Sequence, residues 1–411
     1  MTHTSATMLR VAVPEPERRG RARPRLPRPR LPDPRTLPPP GAATAVGLFV
    51  AARLAGAAVL ATTAWTGDKQ PLALLGRSWD SLWYLGIAAH GYGRVLRPQP
   101  GVVQNDLAFF PLYPALVRGV TALSPLGGGG AGLLVSWLAA VAAACGIYRC
   151  GALLHGRAVA CALVLLWGLL PHSVVLSMAY TEPLLTAFAA WSLYAVLTRR
   201  WLWAGALAAL AGLSRPNGCA VAAAVVAAAA CEAWHERRRL GRVSPGLWAG
   251  AVLAPLGWGA YLLWVGRRTG DLFGGYFRVQ AGWGSRFDLG HDALRFTRIL
   301  LLYKARFVFP MSLVIVAAAV LLYVLLLLDR PPLPLVVYTS ALMVVALGGA
   351  GFFECKPRFL LPAFPLLLPP ARALVRTARA RPWHATAVVA ALAGLSFVYG
   401  AYLVAIAHAP L

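Results

Sequence analysis

Long apolar runs recur along this chain of 411 residues, from residue 42 to the C-terminus, and they restrict its fold more than any other feature. A run of about 18 or more apolar residues is long enough to cross the hydrocarbon core of a bilayer as a helix. Within lipid, only helices and closed barrels satisfy every backbone hydrogen-bonding group. The sequence therefore predicts an all-α polytopic membrane protein.

The same runs predict the number of crossings. The first expected span is about Ala42 to Trp65, and an outer loop over residues 66–130 follows it. Segment 109–123 is apolar, but it contains two prolines and an arginine. The basic loops can all face the cytoplasm only if this segment is re-entrant or interfacial, which gives about eleven crossings within a bundle of about 10–12 helices. The other expected spans are 131–150, 158–177, 181–198, 201–214, 216–231, 246–266, 305–328, 333–351, 358–375 and 384–408.

The charge of the chain follows membrane topology. Only 13% of the residues are charged, about half the fraction of a soluble domain, yet the net charge is +25. Much of the excess lies in the Pro/Arg-rich residues 1–40 and in short loops between spans. This is the positive-inside pattern, so we expect a cytoplasmic N-terminus and no nucleic-acid partner. Residues 1–40 are expected to be a disordered tail because proline recurs every two or three positions.

The acidic residues separate by side. The chain has only fourteen, and those on the expected outer side lie among aromatic residues and glycines, whereas the cytoplasmic loops lack that composition. Any chemistry is therefore expected at the outer face. The outer acids are Asp68, Asp80, Asp106, Glu182, Asp271, Asp288, Asp292 and Glu354.

The stretch Ser78–Gly93 (SWDSLWYLGIAAHGYG) combines one acid with an aromatic helical pattern. Asp80 and Tyr84 are one turn apart, beside an apolar stripe typical of a helix lying in the membrane interface. Asp80 would then project toward the enclosed space of the protein. Its plainer interpretations are a solvated interfacial acid, a helix cap or a partner for Arg77. The stripe consists of Trp79, Leu82, Trp83 and Ile87.

Several segments together resemble the PIG-V family of mannosyltransferases, within the wider GT-C class of polytopic glycosyltransferases. They appear in the order of that family and extend from about residue 78 to 370. The resemblance implies a GT-C-type bundle, a sugar donor on a polyprenyl or dolichyl phosphate, an acceptor outside the cytoplasm and inversion at the anomeric carbon. The segments are WDSLWYLGIAAHGYG, AFFPLYPAL, LPHSVVLSMAYTEPLLTAF, GLSRPNG, GDLFGGYFRVQAGWG and KPRFLLPAFPLLL.

An inverting transfer needs a base that takes the proton of the acceptor hydroxyl, and a carboxylate can supply one. The family carries its catalytic acid in the first outer loop, and this role carries over to Asp80. Asp106 is the second acid of that loop. It could orient the acceptor or hold a divalent cation with Asp80, and a solvated loop acid is the alternative. No metal site is predicted from ligand spacing.

The departing lipid phosphate needs positive charge near the membrane surface. Arg358 opens RFLLP, which resembles the lipid-phosphate arginine motif of GT-C enzymes, and Lys356 lies beside it. Snorkelling at a helix end is the alternative for both side chains. Arg215 in LSRPNG is a further candidate, unless it is an ordinary loop arginine.

Glu182 in YTEP is expected near the outer surface, where it pairs or binds sugar, although the helix dipole alone would also favour an acid there. His172, within an apolar span, is expected to be a satisfied bundle histidine. The further candidates for contacts with sugar or acceptor are Trp79, Tyr84, His90, Tyr92, Gln280 and Trp283.

These observations favour a mannosyltransferase of the plasma membrane that transfers mannose from polyprenyl-phosphate-mannose to a glycan or glycolipid at the outer face. The absence of a P-loop and of a cytoplasmic DxD argues against a nucleotide-sugar donor and an ATP-driven pump. One alternative is a GT-C enzyme that uses another lipid-linked sugar, such as arabinose. The other is a non-enzymatic transporter or flippase of lipid-linked sugars, which should place charges near the bilayer midplane.

Overall fold

Helices make up nearly all of the fold in the computed structural model, which describes residues 41–99 and 102–407. The tail predicted for residues 1–40 lies outside the described residues. The α-helices are Ala42–Trp65 (α1), Pro71–Gly76 (α2), Asp80–His90 (α3), Leu112–Leu123 (α4), Gly128–His155 (α5), Arg157–Gly168 (α6), Glu182–Leu197 (α7), Trp201–Ser214 (α8), Cys219–Leu240 (α9), Pro245–Leu253 (α10), Leu256–Thr269 (α11), Gly275–Gly282 (α12), His291–Leu302 (α13), Val308–Leu328 (α14), Leu333–Gly348 (α15), Lys356–Phe359 (α16), Leu368–Ala380 (α17) and Pro382–Ala401 (α18).

Short irregular helices and two small β-ribbons connect these elements. The strands β1 (Val95–Gln99) and β2 (Val102–Asn105) pair antiparallel, with Val95 opposite Asn105. The strands β3 (Arg286–Phe287) and β4 (Gly349–Ala350) pair in the same sense and join the loop before α13 to the loop before α16. The 3-10 helices are Asp106–Ala108, Ser173–Ser177, Pro216–Gly218, Phe353–Cys355 and Phe364–Leu367, and α18 continues as a π-helix over Tyr402–Ala407.

Six helical segments of the described chain are long and apolar enough to cross a membrane, which confirms a polytopic all-α membrane protein. A seventh candidate is the pair Phe353–Phe359 and Phe364–Ala380, which is bent by 77°. The six are Ala42–Trp65, Gly128–His155, Pro216–Arg239, Pro245–Thr269, Val308–Leu328 and Pro382–Ala407.

Other predicted spans form helices too short to cross the hydrocarbon core alone. The expected span 158–177 is helical only to Gly168, so α6 covers about 18 Å of a core about 30 Å thick. Its continuation, through the 3-10 helix Ser173–Ser177, is buried in protein. Irregular backbone at membrane depth is tolerated there, and a run of apolar letters does not reveal such a break. The 12 residues of α4 are likewise too few to span, in agreement with the prediction for segment 109–123.

Helix α5 is the centre of the packing and contacts α1, α4, α6 and α7. Small residues bring the helices close together, as in many membrane bundles. A Cβ on Gly205 of α8 would lie 2.3 Å from the carbonyl oxygen of Gly250 in α10, so this crossing requires glycine. A Cβ on Gly146 of α5 would lie 2.9 Å from the Cβ of Ala190 in α7.

The two ends of the bundle differ in chemistry. Helix α7 starts at Glu182 and finishes near Arg199, which pairs with Glu232 at 2.8 Å. Arg372 pairs with Asp329 at 2.7 Å near the far end of α14. We call this the basic end. The opposite end, where α3 and α7 begin and α15 finishes, is called the site end.

Candidate active site

Asp80 and Arg358 form an ion pair at the site end, although 278 positions separate them in the sequence. Arg358 Nη1 donates to Asp80 Oδ2 at 2.7 Å. The Asp80 side chain is 25% exposed, whereas that of Arg358 is 6% exposed. Asp80 is therefore the accessible member of the pair, and Arg358 is the buried member. The alternative interpretation, in which Asp80 pairs with Arg77, is therefore wrong.

Glu182 joins a second arginine to this pair. Arg215 Nη1 lies 2.5 Å from Glu182 Oε1, and Arg358 Nε lies 3.2 Å from the same oxygen. The Arg358 Nε contact lacks hydrogen-bond geometry and is an ion pair only. Glu182 is 1% exposed and Arg215 is 7% exposed. Two carboxylates thus neutralise two guanidinium groups in a cluster largely withdrawn from solvent.

Residues just before α7 complete the cluster. Arg215 Nη1 donates to Thr181 Oγ1 at 2.9 Å, and the Tyr84 hydroxyl lies 3.2 Å from the same oxygen. Burial raises the pKa of Tyr84 to about 12, so this side chain remains a neutral phenol near pH 7. The Arg358 guanidinium lies 5.3 Å from the ring centroid of Tyr180, a cation–π distance.

Three polar atoms of this cluster are buried without a hydrogen-bond partner: Glu182 Oε2, the Tyr180 hydroxyl and Arg358 Nε. Leaving a buried polar group unpaired costs about 1–3 kcal/mol. Such groups require an explanation in a native structure, and a bound polar ligand is one of the accepted kinds. The cluster therefore offers free hydrogen-bonding capacity beside the Asp80–Arg358 pair.

Local backbone geometry presents Asp80 at the start of its helix. Trp79 precedes it with φ 48° and ψ −114°, a conformation that a bulky residue rarely adopts. The Ser78 backbone N–H donates to Ser81 Oγ at 2.7 Å and fixes this turn. Asp80 then occupies the first helical turn, where the macrodipole favours an anion. Strained residues of this kind concentrate at functional sites.

The apolar stripe of this helix was predicted to face the membrane interface, and for Trp83 and Ile87 this prediction is wrong. Trp83 and Ile87 are 8% and 6% exposed, and they pack inside the protein. Trp83 stacks on Phe109 with ring centroids 5.7 Å apart, and Trp283 meets it edge-on at 5.0 Å. The segment after α3 folds back over the helix, so Trp83 and Ile87 face protein instead of lipid, whereas Leu82 of the same stripe is 48% exposed.

Lys356 was expected to assist Arg358 at the lipid phosphate, but its ammonium binds backbone carbonyl oxygens instead. Its ammonium donates to the carbonyl oxygens of Ala346 at 2.7 Å and Gly349 at 2.6 Å, at the end of α15. A cation there satisfies carbonyls that the helix leaves free. Lys356 and Arg358 are 3% and 5% exposed, so neither snorkels toward the membrane surface.

Asp106 fixes the loop after α3. Its Oδ2 accepts the backbone N–H groups of Gly93 at 2.8 Å and Arg94 at 2.7 Å, and it is 1% exposed. The solvated loop acid is therefore the wrong alternative. No group of three or more metal-ligating side chains occurs within residues 41–99 and 102–407. Asp80 is already paired with Arg358, and Asp106 already accepts two backbone N–H groups. Asp80 and Asp106 therefore do not form a cation-binding site.

The other side chains that were predicted to contact sugar or acceptor lie away from the ion pairs or donate hydrogen bonds to backbone carbonyls. His90 is exposed at the far end of α3, about 15 Å along the helix from Asp80. Tyr92 donates to the Phe109 carbonyl at 2.8 Å. Gln280 Nε2 lies 2.6 Å from the Tyr276 hydroxyl, and Trp283 Nε1 donates to the Asn105 carbonyl at 3.0 Å. Tyr92, Gln280 and Trp283 stabilise the segment around residues 105–109.

His172 also departs from its prediction. It is 1% exposed, and neither ring nitrogen has a hydrogen-bond partner. Its ring meets Tyr399 edge-on at 5.5 Å. The histidine is thus packed but not satisfied.

Sequence reasoning missed Tyr180, Thr181 and Phe359 as members of the site. Phe359 lies beneath both arginines, with its ring centroid 5.2 Å from the guanidinium of Arg358 and 5.8 Å from that of Arg215. The signal was present, because each of these residues lies one or two positions from a predicted charged residue. An aromatic beside a buried arginine is a common cation–π partner.

Comparison with known proteins identifies the fold. No protein-family profile matches the chain, and no curated protein matches it. The chain is similar to the apo oligosaccharyltransferase of Archaeoglobus fulgidus, with a TM-score of 0.52, 13% identity and coverage of 90% of this chain and 57% of that chain. A structure of the same enzyme, AglB, with an inhibitory peptide and a dolichol-phosphate matches with a TM-score of 0.48 and 13% identity, over 89% of this chain and 56% of that chain.

The first of these matches confirms the predicted GT-C-type bundle. The chain spans little more than half the length of the oligosaccharyltransferase that it matches. At 13% identity the similarity concerns the fold, and the site must be interpreted from its own residues.

Proposed function

We propose that this protein is an integral membrane glycosyltransferase that transfers a sugar from a polyprenyl-phosphate donor to a hydroxyl of an acceptor glycan or glycolipid. The observation that carries the proposal is the 2.7 Å pair between Asp80 and Arg358, which places a partly exposed carboxylate beside a buried guanidinium. Such a transfer needs a base for the acceptor hydroxyl and a positive group for the lipid phosphate. The shared fold with an oligosaccharyltransferase and the resemblance to PIG-V enzymes support the same assignment.

The chemistry begins at Asp80. Its ionised carboxylate takes the proton of the acceptor hydroxyl, and that oxygen attacks the anomeric carbon from the face opposite the phosphate. A glycosidic bond forms while the bond between the anomeric carbon and the phosphate oxygen breaks, so the configuration inverts. The electron pair stays with the polyprenyl phosphate. A positioned carboxylate contributes about 10²–10⁴-fold to such a step.

Arg358 receives the phosphate in this scheme. An arginine recognises phosphate through two parallel N–H donors, and this geometry gives strong charge-assisted hydrogen bonds. When its Nη1 turns from Asp80 to the phosphate, Nε stays 3.2 Å from Glu182, which also pairs with Arg215, and the phosphate replaces the charge of Asp80. Donor binding therefore releases Asp80 as a free base, and we expect the donor to bind before the acceptor. Lys356 has no part in this step, because two carbonyls hold its ammonium.

The finer proposal is that the sugar is mannose and the donor polyprenyl-phosphate-mannose. The PIG-V resemblance supports it through the motifs around Asp80 and Arg358. We further propose that the site end faces the extracytoplasmic side of the plasma membrane and that the N-terminus is cytoplasmic. The arginines of the basic end support this orientation, because cytoplasmic loops are rich in Arg and Lys.

The test uses purified protein in detergent with radiolabelled polyprenyl-phosphate-mannose, polyprenyl-phosphate-arabinose and extracted membrane lipids. Detergent micelles have no compartments, so transport gives no signal, and a labelled product reports transfer alone. The expected result is a mannosylated lipid or glycan whose formation requires Asp80. Transfer of arabinose would keep the enzyme class and change the sugar. The absence of any labelled product, together with donor flipping in proteoliposomes, would favour the transporter.

A further inference from the structure

A buried arginine lies at the middle of the first membrane helix. Arg53 is the twelfth of the 24 residues of α1, so about 17 Å of helix extends to either side of it. The residue is 2% exposed. At that depth the side chain is too short to reach either membrane surface. Ionisable residues inside a membrane are costly and usually mark a function.

The guanidinium of Arg53 has little compensation from the protein. Its Nη2 donates to Ser396 Oγ at 3.3 Å, and its Nε is buried without a hydrogen-bond partner. No carboxylate of the described residues lies within 4.0 Å of it. The ring of Phe397, 5.9 Å from the guanidinium, supplies the other electrostatic contact. Arginine does not lose its proton in proteins, so the charge persists.

The hydroxyl of Ser396 cannot neutralise this charge. Ser396 donates its proton to the Leu170 carbonyl at 3.0 Å, so it accepts from Arg53 and, at 3.0 Å, from the Ser173 hydroxyl. Ser177, on the same 3-10 helix as Ser173, is 2% exposed, and its hydroxyl has no partner. The Nε of Arg53 and the Ser177 hydroxyl thus both lack a hydrogen-bond partner.

These two groups line one narrow pocket between α1, α18 and the 3-10 helix Ser173–Ser177. Apart from Ser396, its remaining walls are apolar, and it has room for one small species such as a water molecule or a monatomic ion. A water molecule would satisfy hydrogen bonds but would leave the positive charge. A phosphate group is too large for the space. The lining residues include Arg53, Leu60, Leu75, Val174, Ser177 and Ser396.

We propose that Arg53 and Ser177 form a binding site for one monatomic anion of the size of chloride. The anion accepts hydrogen bonds from the guanidinium and the Ser177 hydroxyl and neutralises the charge at the centre of the bilayer. It joins α1 to the segment that leads toward Glu182 and to α18. The site is separate from the Asp80–Arg358 pair, so it stands or falls independently of the proposed glycosyl transfer.

The test measures thermal unfolding of the detergent-purified protein at constant ionic strength while chloride replaces gluconate. A ligand that binds only the folded state raises stability with its concentration. The wild-type midpoint should rise by roughly 2 °C per tenfold increase in chloride above the dissociation constant. Arg53→Met fills a similar volume without charge and should show no rise. Arg295→Met, at an exposed position of α13, is the matched control and should respond like the wild type.

In gluconate without chloride, the wild type is no longer expected to be the more stable of the two proteins. Without the anion, Arg53→Met should be at least as stable as the wild type, because an apolar residue often replaces a poorly compensated buried charge without loss. A wild-type protein that does not respond to chloride would overturn the proposal, whether or not the variant folds. An unchanged chloride response in Arg53→Met would do the same. In crystals grown with bromide, an anomalous peak beside the Arg53 guanidinium is expected, and its absence would contradict the site.

Discussion

Arg358 Nε lies 3.2 Å from Glu182 Oε1, and this contact keeps a carboxylate beside the arginine when its other nitrogen leaves Asp80. A buried guanidinium that lost its only carboxylate would cost several kcal/mol. With Glu182 in place at Nε, Arg358 can exchange one anion for another through its Nη groups. The relationship suggests four experiments on the site and one on its orientation.

Asp80→Asn should reduce the rate of sugar transfer by roughly 10²-fold or more, because the amide cannot accept the acceptor proton. Donor affinity should stay equal or improve, since Arg358 no longer has an anionic competitor. The measurement is single-turnover transfer at saturating donor, together with donor binding. Asp68→Asn, an exposed acid of the same loop, is the control and should keep full activity. Wild-type transfer by Asp80→Asn would move the base assignment to Asp106.

Arg358→Lys should weaken use of the donor, because an ammonium lacks the planar pair of donors that matches a phosphate. Arg358→Ala should be weaker still. The measurement is turnover against donor concentration for both variants and the wild type. Equal curves for all three would show that Arg358 does not bind the donor phosphate.

Lys356→Met should lower thermal stability but leave donor use unchanged in the folded fraction. The ammonium holds the carbonyls of Ala346 and Gly349, and its loss leaves two buried acceptors at about 1–3 kcal/mol each. Thermal unfolding and the donor concentration at half-maximal rate separate the two effects. A normal melting temperature with impaired donor use would instead support the original prediction for Lys356.

Glu182→Gln should destabilise the fold by about 3–5 kcal/mol, because two buried guanidinium groups lose their shared carboxylate. Combining it with Arg215→Met should cost less than the sum of the single changes, since the double variant removes both members of one pair. The measurement is a double-mutant cycle on apparent unfolding free energy. Strict additivity would show that Glu182 and Arg215 do not interact energetically.

The orientation prediction concerns the loops that hold Asp80, Asp106, Gly274 and Lys356, expected outside, and those that hold Arg200 and Arg239, expected in the cytoplasm. Asp106 and Lys356 are buried, so exposed neighbours make better reporters. Cysteine at Arg97 or Phe273 should react with an impermeant thiol reagent in intact cells that express a variant without native cysteines. Cysteine at Arg239 or Arg330 should react only after permeabilisation. The reverse pattern would place the site end in the cytoplasm.

The sequence by itself determined the class of the fold. Recurrent apolar runs are sufficient because lipid permits so few ways to satisfy backbone hydrogen bonds. It also singled out the charged residues that meet in the structure, Asp80, Glu182, Arg215 and Arg358, from their positions beside apolar spans and from the PIG-V resemblance. An ionisable residue next to apolar spans is costly, so each one stands out.

Only the tertiary structure decided which charges meet. The start of α3, the start of α7, the end of α8 and α16 converge, and no sequence spacing encodes contacts across 278 positions. The same applies to Lys356, whose carbonyl partners belong to the end of α15, and to the aromatic stripe of α3, which a later segment covers. A helical period specifies that a face is apolar, but neighbouring elements decide whether lipid or protein covers it.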